Sequence, residues 1–294
     1  MEMDRLDILL GLVQTREWGR AWAEFQRLLN EGPQTPRLLY LGSLVAFGQG
    51  DLFRARHLAD QALNGWTEAD STNVLGRIRF HLGMVARKIG DTHVAAEQFN
   101  LFLEELPTRY PELSMGEGKA YFYLALTLYQ RRELDAAVQA NRTAIDCFRR
   151  DGLSSHLAAA LLDLAWLYCR MGRAKEARDS LSESANLVDT PELHLHQRLG
   201  EAYLAFVEEK FILAAELAQE IFQRAERGEP VTAGERSQAA LLAARVALAQ
   251  GNLGSAASLA DIALSYGAEA KESGLVNDAA ALRREVLLQQ HATA

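Results

Sequence analysis

Proline, cysteine and long apolar runs are scarce in this chain of 294 residues, and each scarcity excludes something. The 6 prolines leave room for long uninterrupted helices. Two cysteines, Cys147 and Cys169, cannot form a disulfide framework, and no CxxC motif is present to hold zinc, so a reduced, cytoplasmic compartment is expected. No apolar run approaches the roughly 20 residues that span a bilayer. The N-terminus carries Asp4 and Asp7 ahead of a short apolar stretch, unlike the basic start of a signal peptide, and no membrane association is expected.

The charge balance is acidic. Lys and Arg number 31 against 39 Asp and Glu, which gives a net charge of −8. Such a surface repels phosphate backbones, so direct binding of nucleic acid is not expected. Apolar residues make up 49% of the chain, enough for a packed core. Helix formers dominate and alternating β-branched runs are absent, so the sequence predicts an all-α fold.

A repeated pattern of small residues, which we call the repeat frame, occurs along the chain. Its clearest copy has Gly83 in a first helix, a turn at Gly90-Asp91 and Ala95 in a second helix. The second small residue is alanine in seven copies, twelve positions after the first marker. These alanines are Ala21, Ala55, Ala95, Ala137, Ala177, Ala214 and Ala256. The frame predicts a helical hairpin, in which the turn glycine adopts the left-handed conformation and the alanine lets two helices cross closely.

This frame resembles the tetratricopeptide repeat and covers nearly the whole chain, with spacings of 34 to 42 residues that mostly exceed the 34 typical of that family. The resemblance implies a right-handed superhelical solenoid within a single domain, 1–294. Seven hairpins are predicted at approximately 4–30, 36–64, 73–105, 118–150, 155–188, 192–226 and 235–266, with a capping helix at approximately 273–290.

Arrays of this long period also resemble the sensor segments of Gram-positive, peptide-responsive transcriptional regulators. Those regulators carry an N-terminal helix-turn-helix, whereas residues 1–30 here are assigned to the first repeat. We therefore expect the chain either to stand alone or to be a segment of a longer one.

Familiar catalytic and metal-binding motifs are absent from the sequence. It contains no GxGxxG, GxSxG or HExxH. His194 and His196 are two residues apart, so on a helix they point about 200° apart and cannot hold one metal ion. Cys169 is interpreted as a small packing residue rather than a reactive thiol. Neither enzymatic activity nor a cofactor nor a metal is expected.

In tetratricopeptide proteins the first helices line the concave face. Counted from the first small residue, the positions three before, one after and four after should face that groove. Eight of these eighteen positions hold aromatic residues. Two interpretations stay open: a binding groove, or packing between neighbouring first helices. The candidate binding residues, including a basic pair beside the aromatic stripe, are Phe80, Met84, Arg87, Lys88, Phe122, Leu126, Tyr129, Trp166, Tyr203 and Phe206.

The leading hypothesis is a non-catalytic module that binds a peptide or protein segment in this aromatic groove. Arg87 and Lys88 would then orient an acidic part of the ligand. The alternative is a constitutive scaffold that assembles proteins through its convex face and edges. The sequence is also compatible with a homodimer.

Overall fold

The computed structural model describes residues 2–293, with side chains described for 5–292, and within these residues it contains fifteen α-helices and no strand. The all-α fold class is thereby confirmed. The helices are α1 (Glu2–Gln14), α2 (Trp18–Glu31), α3 (Pro36–Gly48), α4 (Leu52–Gly65), α5 (Thr72–Ile89), α6 (Thr92–Arg109), α7 (Glu117–Gln130), α8 (Leu134–Arg150), α9 (Ser154–Arg170), α10 (Ala174–Ala185), α11 (Pro191–Val207), α12 (Phe211–Glu226), α13 (Ala233–Ala249), α14 (Leu253–Glu269) and α15 (Ser273–Thr293). A short 3-10 helix, Pro111–Gly116, precedes α7.

Six pairs of consecutive helices pack together as hairpins within a unit: α1–α2, α3–α4, α5–α6, α9–α10, α11–α12 and α13–α14. The remaining predicted hairpin, α7–α8, stays a prediction, and α15 follows α14. Each hairpin turn contains one residue with positive φ, at an equivalent position. These residues are Arg16, Gly50, Gly90, Arg132, Gly172, Glu209 and Gly251. A side-chain cap then starts several second helices; Asp91, for example, accepts a hydrogen bond from the backbone N–H of Val94 at 3.3 Å. The turns at Gly90 and Gly172 therefore have the conformation that the sequence predicted.

The seven alanines of the repeat frame are all fully buried. At the crossing of α5 and α6, a Cβ added to Gly83 would lie 2.8 Å from the Phe99 ring. Such a distance is shorter than van der Waals contact, so even a methyl group would force these two helices to shift. The small residues thus set the helix separation within the hairpins, as the sequence predicted.

The chain divides into two compact units, residues 1–127 and 128–294, and the boundary falls inside α7. The largest buried side chains of the first unit include Phe25, Ile78 and Phe99, and those of the second include Phe148 and Ile221. We call them unit 1 and unit 2 and describe them separately. A single continuous array over 1–294 stays a prediction. Within residues 2–293, no helix combines the length and hydropathy needed to cross a bilayer.

Candidate functional site

The predicted binding residue Phe80 belongs to an aromatic cluster of unit 1. The Phe80 ring centroid lies 5.8 Å from that of Phe99, 5.6 Å from Phe102 and 5.8 Å from Tyr123. Phe99 is fully buried, and its ring stacks on Tyr123 at 6.1 Å. Edge-to-face and stacked ring pairs of this kind add to the free energy gained by burial. Phe80 therefore contributes to packing among α5, α6 and α7.

The other candidates in unit 1 are half-buried side chains around the same cluster: Met84, Arg87, Lys88, Phe122 and Leu126. The Arg87 guanidinium lies 5.8 Å above the Tyr123 ring centroid, and the Phe122 ring is 5.6 Å from the same ring. Arg79, a member of the same basic segment, pairs with Glu105 at 3.0 Å. Several aromatic and basic side chains of unit 1 thus contact other residues of the same unit.

A buried polar pair, Ser43 and His81, lies elsewhere in unit 1. The Ser43 hydroxyl donates to the carbonyl of Ala55 at 2.6 Å, and its oxygen lies 2.9 Å from His81 Nε2. Since the single hydroxyl proton is used on Ala55, the proton of the second bond comes from His81 Nε2. The imidazole is also flanked edge-on by the rings of Tyr40 and Phe47. Burial lowers the pKa of His81 to about 4, so the ring is neutral at physiological pH.

Unit 2 brings six side chains from five helices together, and we call them the inner cluster: Tyr129, Trp166, Arg170, Tyr203, Arg245 and Asp278. The ring centroids of Tyr129 and Trp166 are 4.2 Å apart, and those of Trp166 and Tyr203 are 6.4 Å apart. The Arg170 guanidinium lies 5.9 Å from the Tyr129 ring centroid. Three of the predicted binding residues therefore contact one another, and charged groups lie among them.

Asp278 of α15 forms the contact with the largest sequence separation in this cluster. Its buried carboxylate accepts a hydrogen bond from the Tyr129 hydroxyl, 149 residues earlier, and pairs with Arg132 at 2.7 Å. Burial raises the pKa of Tyr129, as does the Asp278 carboxylate, against the opposing effect of Arg170. The C-terminal helix was predicted to cover the last hairpin. It also contacts the end of α7 and the turn that follows it.

A pocket of about 500 Å³ opens beside the inner cluster. Aromatic side chains form part of its wall, with the ring centroids of Phe206 and Phe211 5.8 Å apart. Its lining residues are Cys169, Arg170, Gly172, Tyr203, Phe206, Val207, Glu209, Phe211 and Arg245. Tyr203 and Phe206 were predicted as binding residues, and this pocket brings them together. Arg170 and Phe211 were missed, and Arg245 lies at a groove-facing position but was not selected.

Electrostatics in the pocket favour an anion. Burial lowers the pKa of Arg245, and the like charge of Arg170 lowers it further. Within the described side chains neither arginine forms an ion pair, and the buried Nε of Arg245 has no hydrogen-bond partner. Burial raises the pKa of the Cys169 thiol to about 12, so this wall of the pocket offers no thiolate nucleophile. The described residues contain no group of His, Cys, Asp and Glu that could hold a metal ion.

The two histidines of α11 do not share a site. His196 Nε2 lies 3.1 Å from Glu235, whose carboxylate also completes the capping box at the start of α13. Burial alone would lower the pKa of His196, but the Glu235 carboxylate raises it overall. His196 therefore supports the N-terminus of α13 rather than a binding site.

Comparison with known proteins supports the fold. No family model and no curated protein matches the chain. Among solved structures, a tetratricopeptide repeat protein from Parabacteroides merdae aligns over 95% of this chain and 98% of its own, with 18% identity and a TM-score of 0.62.

Two proteins that were solved in complexes are also similar. A Rap protein complexed with Competence and Sporulation Factor covers 99% of this chain and 89% of its own, with 13% identity and a TM-score of 0.64. NprR in complex with its cognate peptide NprX covers 98% and 83%, with 15% identity and a TM-score of 0.67. The chain thus has the tetratricopeptide-repeat type of fold that its sequence predicted.

Proposed function

We propose that this chain is a non-catalytic module that binds a peptide or protein segment, and that the pocket beside the inner cluster is where the segment docks. The observation that carries the proposal is the 500 Å³ pocket with Tyr203, Phe206 and Phe211 in its wall. Concave sites with aromatic walls and a few polar groups are typical of ligand binding. Rigid aromatic rings also provide large contact area at low cost in side-chain entropy.

The ten predicted binding residues enter this proposal in different roles. Tyr203 and Phe206 would contact the segment directly, because both line the pocket. Tyr129 and Trp166 would hold the Tyr203 side of the wall through their ring contacts. The unit 1 residues, Phe80, Met84, Arg87, Lys88, Phe122 and Leu126, stay proposed as a separate contact region.

The structural neighbours give this proposal a biological context. NprR was solved with its cognate peptide and shares the fold over most of this chain. We propose that the present chain serves as the sensor part of a regulatory protein. A sensor of this kind should bind a defined peptide and change its conformation on binding.

Selection from a random-peptide display library tests the proposal. The full chain should enrich peptides with a common motif, and a synthetic peptide of that motif should bind in a fluorescence anisotropy titration. Phe206→Ala should weaken binding roughly tenfold or more, because an aromatic wall residue of this kind commonly dominates the binding energy.

Phe53→Ala is the matched control, since Phe53 on α4 is 79% exposed and lies outside the pocket. It should leave the affinity unchanged. Failure of the selection to converge would contradict the proposal. So would a selected peptide whose affinity is insensitive to Phe206→Ala in a folded protein.

One observation favours the alternative, a constitutive scaffold. Several second helices expose large apolar side chains, with Phe53 on α4 and Ile212 on α12 each at least 75% exposed. Exposed apolar groups of this size are typical of protein contact surfaces. If the chain is a scaffold, Phe53→Ala should disrupt a complex that Phe206→Ala leaves intact.

A further inference from the structure

We infer that Arg170 and Arg245 form a subsite for the carboxylate of a bound peptide, placed next to an apolar side chain that packs on Phe206 and Phe211. The inference rests on the proposed function, because it names the chemistry that the same pocket would recognise.

The first argument is the charge balance of the inner cluster and its pocket. Arg170 is the last residue of α9 and Arg245 lies in the last part of α13, and both side chains line the same pocket, where the charge of Arg170 lowers the pKa of Arg245. Two like charges in a partly buried site destabilise it unless an anion lies between or beside them. Asp278, the buried carboxylate of the cluster, already accepts from Tyr129 and pairs with Arg132.

The acidic groups near the pocket balance the two arginines only in part. The Asp278 carboxylate acts to raise the pKa of Arg245, against the larger effects of burial and of Arg170, and it is paired with Arg132 instead. Glu209 lines the pocket, but it is an exposed turn residue and is not ion-paired with either arginine in the described structure. Its neighbour Glu208 is paired with Arg178 and Lys210. The positive charge of Arg170 and Arg245 is therefore available to a ligand.

The second argument is the shape of the donor set. A guanidinium presents a planar fork of N–H groups that matches a carboxylate in bidentate geometry. The buried Nε of Arg245, which makes no hydrogen bond among the described residues, is a donor that such an oxygen would satisfy. Asp278 with Arg132 and Tyr129 provides the same pairing of carboxylate, guanidinium and phenol within unit 2.

The third argument is the apolar part of the pocket wall. Phe206 and Phe211 give the pocket an apolar face beside its cationic one. A free inorganic anion would use only the arginines, whereas a peptide with a carboxylate beside an aromatic or aliphatic side chain would use both faces. The pocket volume of about 500 Å³ accommodates a few residues of such a peptide.

N-acetyl-L-phenylalanine is the probe, because it carries one carboxylate and one aromatic ring. Its titration into the full chain should shift the Nε–H resonances of Arg170 and Arg245 in a ¹⁵N-correlated spectrum, with saturation. N-acetyl-L-phenylalanine amide, which lacks the charge, should bind roughly tenfold more weakly or worse. A third probe, N-acetyl-aspartyl-phenylalanine amide, carries its carboxylate on a side chain, so its affinity tells a side-chain carboxylate from a terminal one.

Variants separate a ligand role from a structural one. Arg245→Gln should weaken binding of the acid roughly tenfold while leaving the melting temperature equal or higher, because it removes a repulsive charge. Arg245→Lys should bind with intermediate affinity, since it keeps the charge and loses the fork. Arg149→Gln, an exposed arginine on α8, should change neither property.

Three outcomes would overturn the inference: equal affinity for the acid and its amide, unchanged affinity in Arg245→Gln, or inorganic phosphate binding as tightly as the acid. Its failure is distinguishable from that of the proposed function. A selected peptide that ignores Arg245→Gln but requires Phe206 would leave the proposed function standing without the carboxylate subsite. If the probe bound at the arginines but no peptide could be selected, the carboxylate subsite would stand and the proposed function would fail.

Discussion

Units 1 and 2 share one sequence pattern, aromatic residues along the first helices of hairpins, but the surroundings of these aromatic side chains differ. In unit 1 the rings of Phe80, Phe99 and Tyr123 pack on one another, and the nearby Arg79 is paired with Glu105. In unit 2 the rings alternate with arginines, and a pocket of about 500 Å³ stays beside Arg170 and Arg245. The aromatic stripe alone therefore does not separate core from site. We propose that positive charge without a paired carboxylate separates them.

The buried polar groups of the two units differ in the same sense. Ser43 and His81 form a neutral pair within unit 1, closed by the Ala55 carbonyl. Unit 2 instead buries the Asp278 carboxylate, which joins α15 to Tyr129 and Arg132. A neutral pair loses little on burial, whereas a buried carboxylate needs its partners in place. The packing around Asp278 thus depends more on charge than the packing around His81 does.

The strongest way to break this comparison is to truncate one ring in each unit. Phe99→Ala should destabilise the protein by about 3–5 kcal/mol, because it empties a fully buried site that contacts Phe80 and Tyr123. Phe206→Ala should cost about 1 kcal/mol, because the side chain is half-buried and already borders open volume. Urea unfolding followed by circular dichroism measures both. Equal losses would show that the two rings belong to equivalent cores.

The second prediction concerns the pH dependence of unit 1. Its folded state keeps the His81 imidazole neutral, with a pKa lowered to about 4, while the unfolded chain takes up a proton near pH 6.5. The contribution of His81 to the free energy of unfolding should therefore be fully present above pH 6.5. It should fall by up to about 3 kcal/mol as the pH drops toward 4.

Urea midpoints measured between pH 4 and 7.5 check this dependence, with His81→Gln as the comparison. The glutamine variant should be less stable at pH 7 but lose less stability on acidification, because it has no proton to gain. The same slope in both proteins would show that other groups, such as the carboxylates with lowered pKa, account for the acid sensitivity.

The third prediction tests whether the repeat frame works equally in both units. Ala95→Leu in unit 1 and Ala177→Leu in unit 2 should each cost about 1–3 kcal/mol, because both side chains are fully buried at helix crossings. Neighbouring hairpins couple locally, so hydrogen exchange should rise mainly in the altered hairpin and its neighbours. Ala136→Leu, next to a crossing alanine but exposed, is the control and should change little.

Much of the fold could be predicted from the sequence because its determinants are local. The spacing of twelve residues between small positions marks each crossing, and glycine marks several turns. The turns at Arg16, Arg132 and Glu209 contain no glycine, yet they adopt the same left-handed conformation. Their position in the frame, rather than their residue type, was the signal.

The candidate site was predictable only in part. Tyr203 and Phe206 followed from helix periodicity, but the contact between Tyr129 and Asp278 joins residues 149 positions apart, which no local pattern encodes. One signal was present in the sequence. Asp278 lies three residues after Leu275 and four before Leu282, so an acidic residue interrupts the apolar face of α15.

The smallest expected effect comes from glycine substitutions at two equivalent turns, which distinguish the contribution of backbone conformation from that of charge. Arg16 in unit 1 and Arg132 in unit 2 both have positive φ, of 58° and 66°, so glycine should relieve about 1 kcal/mol of backbone strain at each. Arg16→Gly should therefore stabilise the protein slightly. Arg132→Gly also loses the ion pair with the buried Asp278 carboxylate, so its net effect should be near zero or destabilising by about 1 kcal/mol. Repeating both changes in an Asp278→Asn background should bring the two effects closer together, since the ion pair is then absent in every protein compared. A gap between them that persists in that background would show that the two turns differ for a reason other than charge.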